Sequence, residues 1–598
     1  MNKGGLTRAL LIGLMVFLAF TFLPKLFGKG GSTELQPLKY EGERAAAEGK
    51  PRSCDLWGPR FHAQLSTQGA DLTHFWLTTA KYQKDGKPID LSTTPDVPMR
   101  RSLRMHWRHG AAASPDDPSW QLDYDLVNYE LGKNDGKSCE FIYRDAKVEL
   151  RKLVRVTERP YELAVDATIT NLSKEKRRHA LTVDTVTWRT AKEVEGHMFR
   201  VSPFVTFVEC VPSSGDVTRL TEKDFEPSNF QKDHEFAPGP LNPGDWYQAE
   251  GRPSFAAVSD AYFSHVLAPM DGRTPACQLQ VEERWDARAF KAKADDPNAG
   301  GMYRARLAYD ASELEPGKSA RYELMSYAGP KERDLLAGAG GGKHDLSELI
   351  NLGFFTGIAK ILVRFLLAVH SVVPNWGIAI IVLTFAARML LFPLSWPSIK
   401  SMVKMRELKP ELDALNAKFK DDAQARGLAQ MELWRKHNVN PIKGCLPQLA
   451  SMPVWFALYT ALQTAVELYN IPFLWFPDLS APDPYYILPF IIGGTSFVQQ
   501  LIMPMQGDPT QAKMMRYFMP AMFTVFMLFL PSGLGVYMFT NSLLGILQQQ
   551  VVERHVRNQS LKSQSVSGGA IEVKTKEEKP VGKGDSDKPR PLLDKGKA

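Results

Sequence analysis

The sequence predicts a polytopic α-helical membrane protein with six spans and a large exported antiparallel β-sandwich domain. One observation is a contrast between two halves: residues 54–331 are polar with alternating apolar residues, whereas long apolar runs dominate residues 346–550. Another is the apolar run Ile378–Leu394, which is about long enough to cross a bilayer and yet contains Arg388. The net charge of +7 is spread thinly over the chain, so it does not predict nucleic-acid binding.

The N-terminus predicts an uncleaved membrane anchor at residues 1–28. Its apolar stretch Leu10–Leu23 comes after Lys3 and Arg8, so a cleaved signal peptide is the alternative. No small-x-small cleavage site comes after the stretch, which favours the anchor. The basic residues place the N-terminus in the cytoplasm. The chain beyond the anchor, beginning with a tether at 29–53, is then expected outside the inner membrane.

Residues 54–332 form the predicted β-sandwich domain. Short segments with period-two alternation recur along it, for example Lys147–Val156 and Tyr161–Ile169. Such alternation, bounded by turn residues, is typical of half-buried antiparallel strands, and many of these in succession favour a large sandwich. A Gly-rich linker at 333–348 is expected to end the domain.

The cysteines bear on the compartment of this domain. Four of the five cysteines lie in the polar half, and the fifth is Cys445. An even number in an exported domain permits disulfides, whereas the spacings match no metal-binding motif. The sequence leaves open how these four cysteines pair: Cys54, Cys139, Cys210 and Cys277.

Residues 349–374 are predicted to form an amphipathic helix along the outer membrane–water boundary. Lys360 and Arg364 are four residues apart and therefore share one face. The other face carries apolar residues at helical spacing, namely Ile350, Phe354, Ile358, Ile361, Leu362, Phe365 and Val369. The alternative is a transmembrane helix whose cations snorkel to the interface.

Residues 375–552 contain the remaining spans and a charged hairpin. The segment 397–444 is rich in Lys and Arg and helical in pattern, with a turn near Asp421–Asp422, so we expect a cytoplasmic antiparallel hairpin. A tail at 553–598 lacks apolar periodicity and is predicted to be basic, disordered and cytoplasmic. The spans expected after the hairpin are Cys445–Val466, Tyr485–Met503, Tyr517–Leu530 and Gly533–Gln549.

Arg388 is the candidate functional residue whose insertion into a membrane costs the most free energy. A guanidinium keeps its charge, and insertion scales put it at roughly 2.5–3.5 kcal/mol near a helix centre. The alternative is snorkelling, since the cytoplasmic end lies roughly 9 Å away at helical rise. Thr384 shares a helical face with Arg388, and other spans carry polar faces of their own. A hydrated groove open to the cytoplasm is therefore predicted, lined also by Gln448, Ser451, Trp455, Thr495, Gln499, Tyr537 and Asn541.

Signals for an enzyme are weak. Gly132–Ser138 is one residue short of a phosphate-binding loop, and it lies in the exported domain, where no nucleotide is expected. The sequence contains no His-Glu-x-x-His motif. We therefore expect no catalytic residues, no cofactor and no metal, and a membrane half that works without nucleotide hydrolysis.

A set of short motifs gives the membrane half a family resemblance. They cover most of residues 350–552 and are highly specific in combination: Asn375–Ile378, Thr384–Arg388, Phe392–Leu394, Met402–Arg406, Leu408–Pro410, Val439–Pro447, Met452–Tyr459, Asp478–Ser480, Asp483–Pro489, Phe529–Leu534 and Gln548–Gln550. With these motifs the chain resembles the YidC/Oxa/Alb family of membrane protein insertases in its Gram-negative form. The exported domain is similar to the family's periplasmic domain in position, size and strand character.

The resemblance implies an inner-membrane insertase and chaperone that inserts nascent membrane proteins and helps them to fold. Five helices would enclose a hydrophilic groove, with Arg388 as its essential charge and Thr384 as a lining residue. Tyr537 matches a family tyrosine. Ser451 stands where some relatives carry Gln, and Gln448, one turn earlier, would compensate.

The resemblance also bears on partners. It implies nascent membrane proteins as substrates, in contact with membrane lipids, and the chain is expected to act as a monomer. The Sec translocon, the ribosome and the signal recognition machinery are further partners to consider. Two other functions stay open from the residues alone: a small-anion transporter that uses Arg388, and an envelope protein that binds carbohydrate or peptide through its β-sandwich.

Overall fold

The computed structural model describes residues 37–38, 43–44, 49–84, 86–94, 101–111, 122–190, 193, 202–213, 217–221, 224, 244–282, 300–419, 422–437, 441–502 and 514–567. The predicted anchor at 1–28 lies outside the described residues, as do most of the tether at 29–53 and the tail beyond 567.

The strands of the β domain match the predicted alternation. Strand Glu162–Asn171, for example, alternates buried and half-buried residues along its length. The described strands in chain order are β1 Pro37–Leu38, β2 Glu43–Arg44, β3 Ser53–Gly58, β4 Phe61–Ser66, β5 Leu72–Leu77, β6 Gln83–Lys84, β7 Lys87–Pro88, β8 Met105–Ala111, β9 Leu122–Asp123, β10 Glu130–Asn134, β11 Ser138–Arg144, β12 Val148–Val156, β13 Glu162–Asn171, β14 Arg177–Thr190, β15 Phe207–Pro212, β16 Thr218–Leu220, β17 Trp246–Gln248, β18 Pro253–Ser259, β19 Phe263–Pro269, β20 Ala276–Glu282, β21 Gly300–Ala308, β22 Ser312–Leu314 and β23 Ser319–Pro330.

Two nine-stranded sheets contain most of these strands. The first has the order β1-β17-β20-β21-β14-β8-β9-β2, with β22 also paired to β14. The second has the order β10-β11-β12-β13-β23-β19-β18-β15-β16, and β3-β4-β5 and β6-β7 form two smaller sheets. Apart from the short parallel pairing of β2 with β9, the described pairs are antiparallel. The prediction of a large antiparallel β domain is therefore confirmed.

The two large sheets contact each other across an apolar core. Strands β14 and β21 of the first sheet meet β15 and β18 of the second. Fully buried side chains such as Trp107, Leu181, Phe255 and Leu307 belong to this core. Because burying apolar surface is the main favourable term in folding, these contacts hold the sheets together.

Two disulfides add covalent links to the β domain. Cys54 of β3 is bonded to Cys139 of β11, and Cys210 of β15 is bonded to Cys277 of β20. The second bond joins the two large sheets. The structure thus gives the pairing that the sequence left open.

The prediction of a Gly-rich linker at 333–348 was wrong. The segment forms helix α1, Arg333–Ala337, and two 3-10 turns, Ala339–Gly341 and Leu346–Leu349. Three consecutive glycines at 340–342 have positive φ, which lets the chain turn tightly enough to pack. The glycines serve a tight turn rather than a free tether, and the apolar residues around them are buried in the β-domain core: Leu336, Ala339 and Leu346.

The helical core comes after the β domain in the chain. By length and composition, Trp376–Pro393 is the one stretch among the described helices that could cross a membrane, while Ile487–Ile502 is apolar but shorter. A 3-10 turn occupies Val466–Leu468, and a π-helical turn occupies Met514–Phe518. The helices are α2 Thr356–Val372, α3 Trp376–Glu407, α4 Lys409–Lys418, α5 Ala423–Lys436, α6 Pro441–Gln463, α7 Ile487–Ile502, α8 Met519–Met527 and α9 Ser532–Ser567.

Helix α3 continues further than predicted. It starts at a cap in which Asn375 Oδ1 accepts the N–H of Ile378 at 3.1 Å, and it runs unbroken through Pro393 and Pro397. The expected start of the hairpin at 397 was therefore wrong, because α3 continues to Glu407 and the first helix of the hairpin, α4, begins at Lys409. Each proline removes only one backbone donor, a loss that a long packed helix can absorb.

Helices α4 and α5 form an antiparallel hairpin, in agreement with the predicted shape. Gln430 Nε2 donates to Asn416 Oδ1 at 2.8 Å, and His437 Nε2 lies 3.3 Å from Glu411 Oε2. Asp422 caps α5 through an oxygen that accepts the N–H groups of the second and third residues of the helix. The cytoplasmic placement of the hairpin stays a prediction.

Helix α2 coincides with the predicted amphipathic helix but uses small residues for its packing. Ala359 and Val363 are buried against Ala457 and Ala461 of α6. Ile361, one of the predicted apolar positions, is 67% exposed. This apolar surface is available to lipid, which fits a helix lying at a membrane boundary.

The loop after α6 docks into the β domain. Val466 is fully buried within the β-domain core, and Glu467 Oε1 lies 2.6 Å from Arg333 Nη1. Asn470 Nδ2 donates to the carbonyl oxygens of Lys81 and Gln83 at 2.9 and 3.0 Å. The β domain and the helical core are therefore joined at a second place besides the chain connection itself.

Helix α9 extends beyond the predicted end of the core at 552. It continues to Ser567, so residues 553–567 are helical and the prediction of a disordered tail was wrong for them. Val552 and Val556 are one turn apart and pack with Ile399 of α3. Val552 ends the predicted core and Val556 lies in the extension, so the extension continues the apolar stripe by a single residue among polar neighbours.

Candidate functional site

Arg388 lies near the middle of α3 and is half-buried. Thr384, one turn earlier on the same face, is fully buried, and its hydroxyl donates to the carbonyl oxygen of Ile380 at 2.7 Å. That bond satisfies the hydroxyl within its own helix. Thr384 is therefore buried one turn before Arg388, and its hydroxyl donates within α3 rather than toward the site.

Helix α9 supplies the partners of Arg388. Nε donates to Asn541 Oδ1 at 2.6 Å, and Nη2 donates to the backbone oxygen of Asn541 at 2.8 Å. A longer contact of 3.4 Å joins Nη1 to Gln548 Oε1. Among the described residues no carboxylate forms an ion pair with this guanidinium, so amide and carbonyl dipoles stabilise its charge.

The site lies where the packed interior of the helical core ends. Toward the β domain, residues such as Ile380, Leu383 and Leu534 are buried in one apolar cluster that includes Tyr537. Beyond Arg388 the residues of α3 up to Pro397 are exposed or half-buried wherever their side chains are described. One end of the site is therefore closed by packing, and the other is more open.

Helix α6 contributes an aromatic side chain to the same cluster. Trp455 packs on its edge and stacks on Tyr459 at 5.8 Å between ring centroids. Gln448 and Ser451 belong to the same helix, but their side chains lie outside the described residues. Their predicted place in the groove stays a prediction.

Helix α7 carries the other two predicted groove residues. The hydroxyl of Thr495 donates to the carbonyl oxygens of Ile491 and Ile492 at 3.0 and 2.9 Å, so its own helix satisfies it. Gln499 is half-buried one turn later. Helix α7 packs against α9, which also carries the partners of Arg388.

The structure brings together fewer residues than the sequence suggested. Arg388 and Asn541 are in direct contact, with Tyr537 one turn before Asn541. Gln548, which is among the polar residues of the last span in the sequence, also contacts Arg388, and Gly545 faces it. Gly545 was not predicted, although its spacing of four residues from Asn541 places it on the same face of α9 and could have indicated it.

The β domain contains buried charges of its own. His106 lies between Asp123 at 3.2 Å and Asp184 at 3.1 Å, and Asp184 is also 2.6 Å from Arg304. Burial alone would lower the pKa of His106, but the charges of Asp184 and Asp123 outweigh it and raise the pKa to about 9. Burial lowers the pKa of Lys152, whose Nζ donates to two backbone carbonyls, to about 7.

Together, the fold and the site define a protein with a large antiparallel β domain joined to an apolar helical core that holds a sheltered cation. Two family models match the chain in the same order. The model of the YidC periplasmic domain matches residues 56–365, and the model of the 60Kd inner membrane protein matches residues 368–559.

Curated relatives cover most of the chain. The membrane protein insertase YidC of Anaeromyxobacter dehalogenans strain 2CP-1 is 38% identical and covers 84% of this chain and 84% of its own. The YidC of Oleidesulfovibrio alaskensis is 29% identical and covers 90% and 97%. A crystal structure of an active YidC insertase with its first transmembrane domain resolved is 17% identical, covers 90% and 99%, and has a TM-score of 0.35. The chain belongs to the YidC family of membrane protein insertases.

Membership confirms several expectations from the sequence. The protein is an inner-membrane insertase with a periplasmic β domain, it is not an enzyme, and its substrates are nascent membrane proteins. The insertase interpretation therefore replaces the small-anion transporter and the envelope binding protein.

Proposed function

We propose that this insertase works through a groove in which Arg388, held on α9, receives the polar flank of a nascent membrane segment. The observation that carries the proposal is the neutral surrounding of the guanidinium: its partners are the side chain and backbone of Asn541 and the amide of Gln548. A half-buried cation without a carboxylate partner keeps its attraction for an incoming negative group. A low local dielectric strengthens that attraction.

The number of free donors supports this role. A guanidinium has five N–H donors, and Arg388 uses three of them in contacts with α9. About two donors therefore remain for a substrate carboxylate or carbonyl group. Carrying polar groups through hydrocarbon is costly, so a site that offers donors lowers the barrier to translocation of the flank. The apolar part of the segment then moves sideways into lipid, where its own hydrophobicity supplies the free energy.

The proposed membrane topology has six spans, five of which surround the groove. The described helices α3, α6, α7, α8 and α9 would be the five, and the anchor at 1–28 the sixth. Helix α7 has 16 residues, and α8 has 9 after a π-helical turn of 5, so they are about 24 Å and 21 Å long at helical rise. Both are short for a bilayer unless the membrane thins around them. The docking of Asn470 on the periplasmic β domain supports an external position for the loop after α6.

The domain boundaries are proposed with two changes from the sequence. The β domain extends from 54 to 349 and includes the glycine turn, because Leu349 is buried in its core. The interfacial helix comes next, then the groove helices and the hairpin of α4 and α5. The last helix extends to Ser567, ahead of a cytoplasmic tail.

The hairpin is proposed to receive the nascent segment on the cytoplasmic side. Leu428 and Met431 of α5 are 60% and 57% exposed among charged neighbours, so they offer apolar contacts to a passing segment. We include the ribosome, the signal recognition machinery and the Sec translocon as proposed partners, with lipid around a monomeric chain.

Reconstitution into protein-free liposomes with a short single-span substrate tests the groove. Arg388→Ala should abolish most insertion, and Arg388→Lys should retain part of it, because lysine keeps the charge but not the fork of donors. Arg364→Ala is the matched control, since Arg364 is exposed on α2 and distant from α9 in the chain. Insertion by a folded Arg388→Ala at the level of the control would refute the proposal.

A further inference from the structure

Gly545 lies directly beneath the guanidinium of Arg388. A Cβ added at this position would be 3.0 Å from Nη2 and 3.5 Å from both Cζ and Nη1 of Arg388. The nearest heavy atoms to that Cβ all belong to the guanidinium. Arg388 therefore rests against the bare backbone of α9 at this residue.

The helical glycines differ in what an added Cβ would meet. At Gly357, Gly427 or Gly494 it would meet nothing within 4 Å, whereas at Gly377, Gly493 or Gly535 it would meet an uncharged side chain at close range. Gly545 differs from both groups because the neighbour is the guanidinium of Arg388. A glycine inside a helix costs about 1 kcal/mol relative to alanine. At Gly545 the close approach of the guanidinium offers a physical reason for bearing this cost.

The hydrogen bonds show what the close approach achieves. Nε and Nη2 form one edge of the guanidinium, and both donate to Asn541, one turn before Gly545. Gln548, three residues after Gly545, accepts from Nη1. Asn541, Gly545 and Gln548 thus form a seat on α9 that fixes the plane of the guanidinium. The N–H groups that do not donate to α9 point away from Asn541.

We propose that Gly545 is a positioning residue that makes the insertase selective for substrates with an acidic flank. The inference rests on the proposed role of Arg388. Seating the guanidinium on α9 fills one edge with neutral acceptors and keeps about two N–H donors for an Asp or Glu carboxylate of the substrate. A side chain at 545 would move the guanidinium away from Asn541, so that its plane and its free N–H groups would no longer be held in one orientation.

A double-mutant cycle between positions 388 and 545 tests the proposal in the full chain reconstituted in liposomes. Gly545→Ala should lower insertion of a substrate with an Asp-containing flank by about tenfold, the loss expected for one charge-assisted hydrogen bond. Insertion of the same substrate with Asn in place of Asp should change little. In an Arg388→Lys background, Gly545→Ala should have no further effect, because the lysine has no guanidinium to displace.

Two controls separate this role from helix packing. Gly494→Ala makes the same change where the new Cβ meets nothing, so it should leave the preference for acidic flanks intact. Thermal unfolding in detergent should show that Gly545→Ala still folds cooperatively, because the helix preference of alanine offsets part of the loss of the Arg388–Asn541 contacts. If Gly545→Ala instead fails to fold, Asn541→Ala reports on the same seat and should lower the preference in the same direction.

The outcomes distinguish this inference from the proposed function. Equal losses for acidic and neutral flanks, or the same loss in the Arg388→Lys background, would assign Gly545 to close helix packing and overturn the inference. If Arg388→Ala abolishes insertion while Gly545→Ala and Asn541→Ala keep the wild-type preference, the role of Arg388 is supported and the positioning role of Gly545 is overturned. If Arg388→Ala inserts normally, the proposed function itself fails.

Discussion

Arg388 carries a permanent charge whose partners are neutral. Asn541 and Gln548 satisfy part of the guanidinium without cancelling its charge, which a carboxylate would do. A site of this kind is costly for the resting protein and favourable for a substrate that brings a negative group. The same comparison explains why Thr384, whose hydroxyl is already satisfied by Ile380, contributes packing rather than a donor.

A carboxylate placed next to Arg388 should neutralise the guanidinium and make it unavailable to an acidic substrate. Asn541→Asp puts a negative charge at the atom that now accepts from Nε at 2.6 Å. We expect insertion of acidic-flank substrates to fall by about tenfold or more, because the guanidinium is then neutralised from within. Gln550→Asp, which adds the same charge at an exposed position of α9, should leave insertion unchanged. Similar losses in both variants would point to net charge rather than to the site.

His106 should make the stability of the β domain depend on pH. Its folded pKa of about 9 lies above the ordinary value of 6.5, so its contribution is fully present below pH 6.5 and is lost as the pH rises through about 9. The upper size of this contribution is about 3 kcal/mol. The groups that face it are Asp123, Asp125 and Asp184, with Arg304 beyond.

Comparison with His106→Gln isolates this contribution. Lys152 acts in the opposite direction, because its lowered pKa makes stability rise with pH above about 7. Thermal unfolding of the full chain should therefore be measured from pH 6 to pH 10 in both proteins. The stability difference between wild type and variant should shrink as the pH rises. A difference that stays constant over this range would contradict the assignment.

At the scale of elements, α3 and α9 are the most extensively packed pair among the described helices. They meet at Arg388 and meet again further along, where Val552 and Val556 pack with Ile399 and Glu553 lies 2.9 Å from Arg406. The ion pair is partly exposed and is worth little by itself. The apolar contact is what keeps the end of α3, and with it the start of the hairpin, against α9.

Truncation of α9 tests this support. A chain ending at 552 should lose the contacts of Val556 and Glu553, and the hairpin of α4 and α5 should become more sensitive to trypsin, with cleavage several-fold faster. A chain ending at 567 keeps the described helix and serves as the control. Equal cleavage rates in the two truncated chains would show that the extension does not support the hairpin.

At the scale of the whole molecule, the β domain and the helical core are joined through two sets of contacts. At the chain connection, Lys360 Nζ of α2 lies 3.7 Å from Glu348 Oε1 at the end of the β domain. The loop after α6 buries Val466 and pairs Glu467 with Arg333, where both side chains are largely shielded from water. The β domain thus fixes one end of the helical core.

Reversing one charge of this second contact should loosen the molecule. Arg333→Glu would place two carboxylates together in a shielded position, and we expect a loss of about 3 kcal/mol in stability. Glu467→Arg should cost a similar amount, whereas the double exchange should recover most of the loss. Thermal unfolding of the full chain in detergent measures all three. A double variant no better than either single one would show that this contact does not depend on the pair.

Several features of the protein could be predicted from local pattern. Alternation along the strands predicted the β domain, because a sheet with one buried face requires it. The charge run between apolar segments predicted the hairpin, and a cation within an apolar run identified Arg388. Composition failed at the glycines of 340–342, where the conformational freedom of glycine serves a buried turn rather than a linker.

Periodicity, composition and short motifs were enough to predict the division into a β domain and a membrane core, the family and the central cation. The disulfide pairing, the docking of the loop at Glu467 and the contacts of Arg388 with Asn541, Gly545 and Gln548 became known from the folded chain. These depend on which distant segments meet. Pattern along a chain indicates which face is buried, but not the residues that it is buried against.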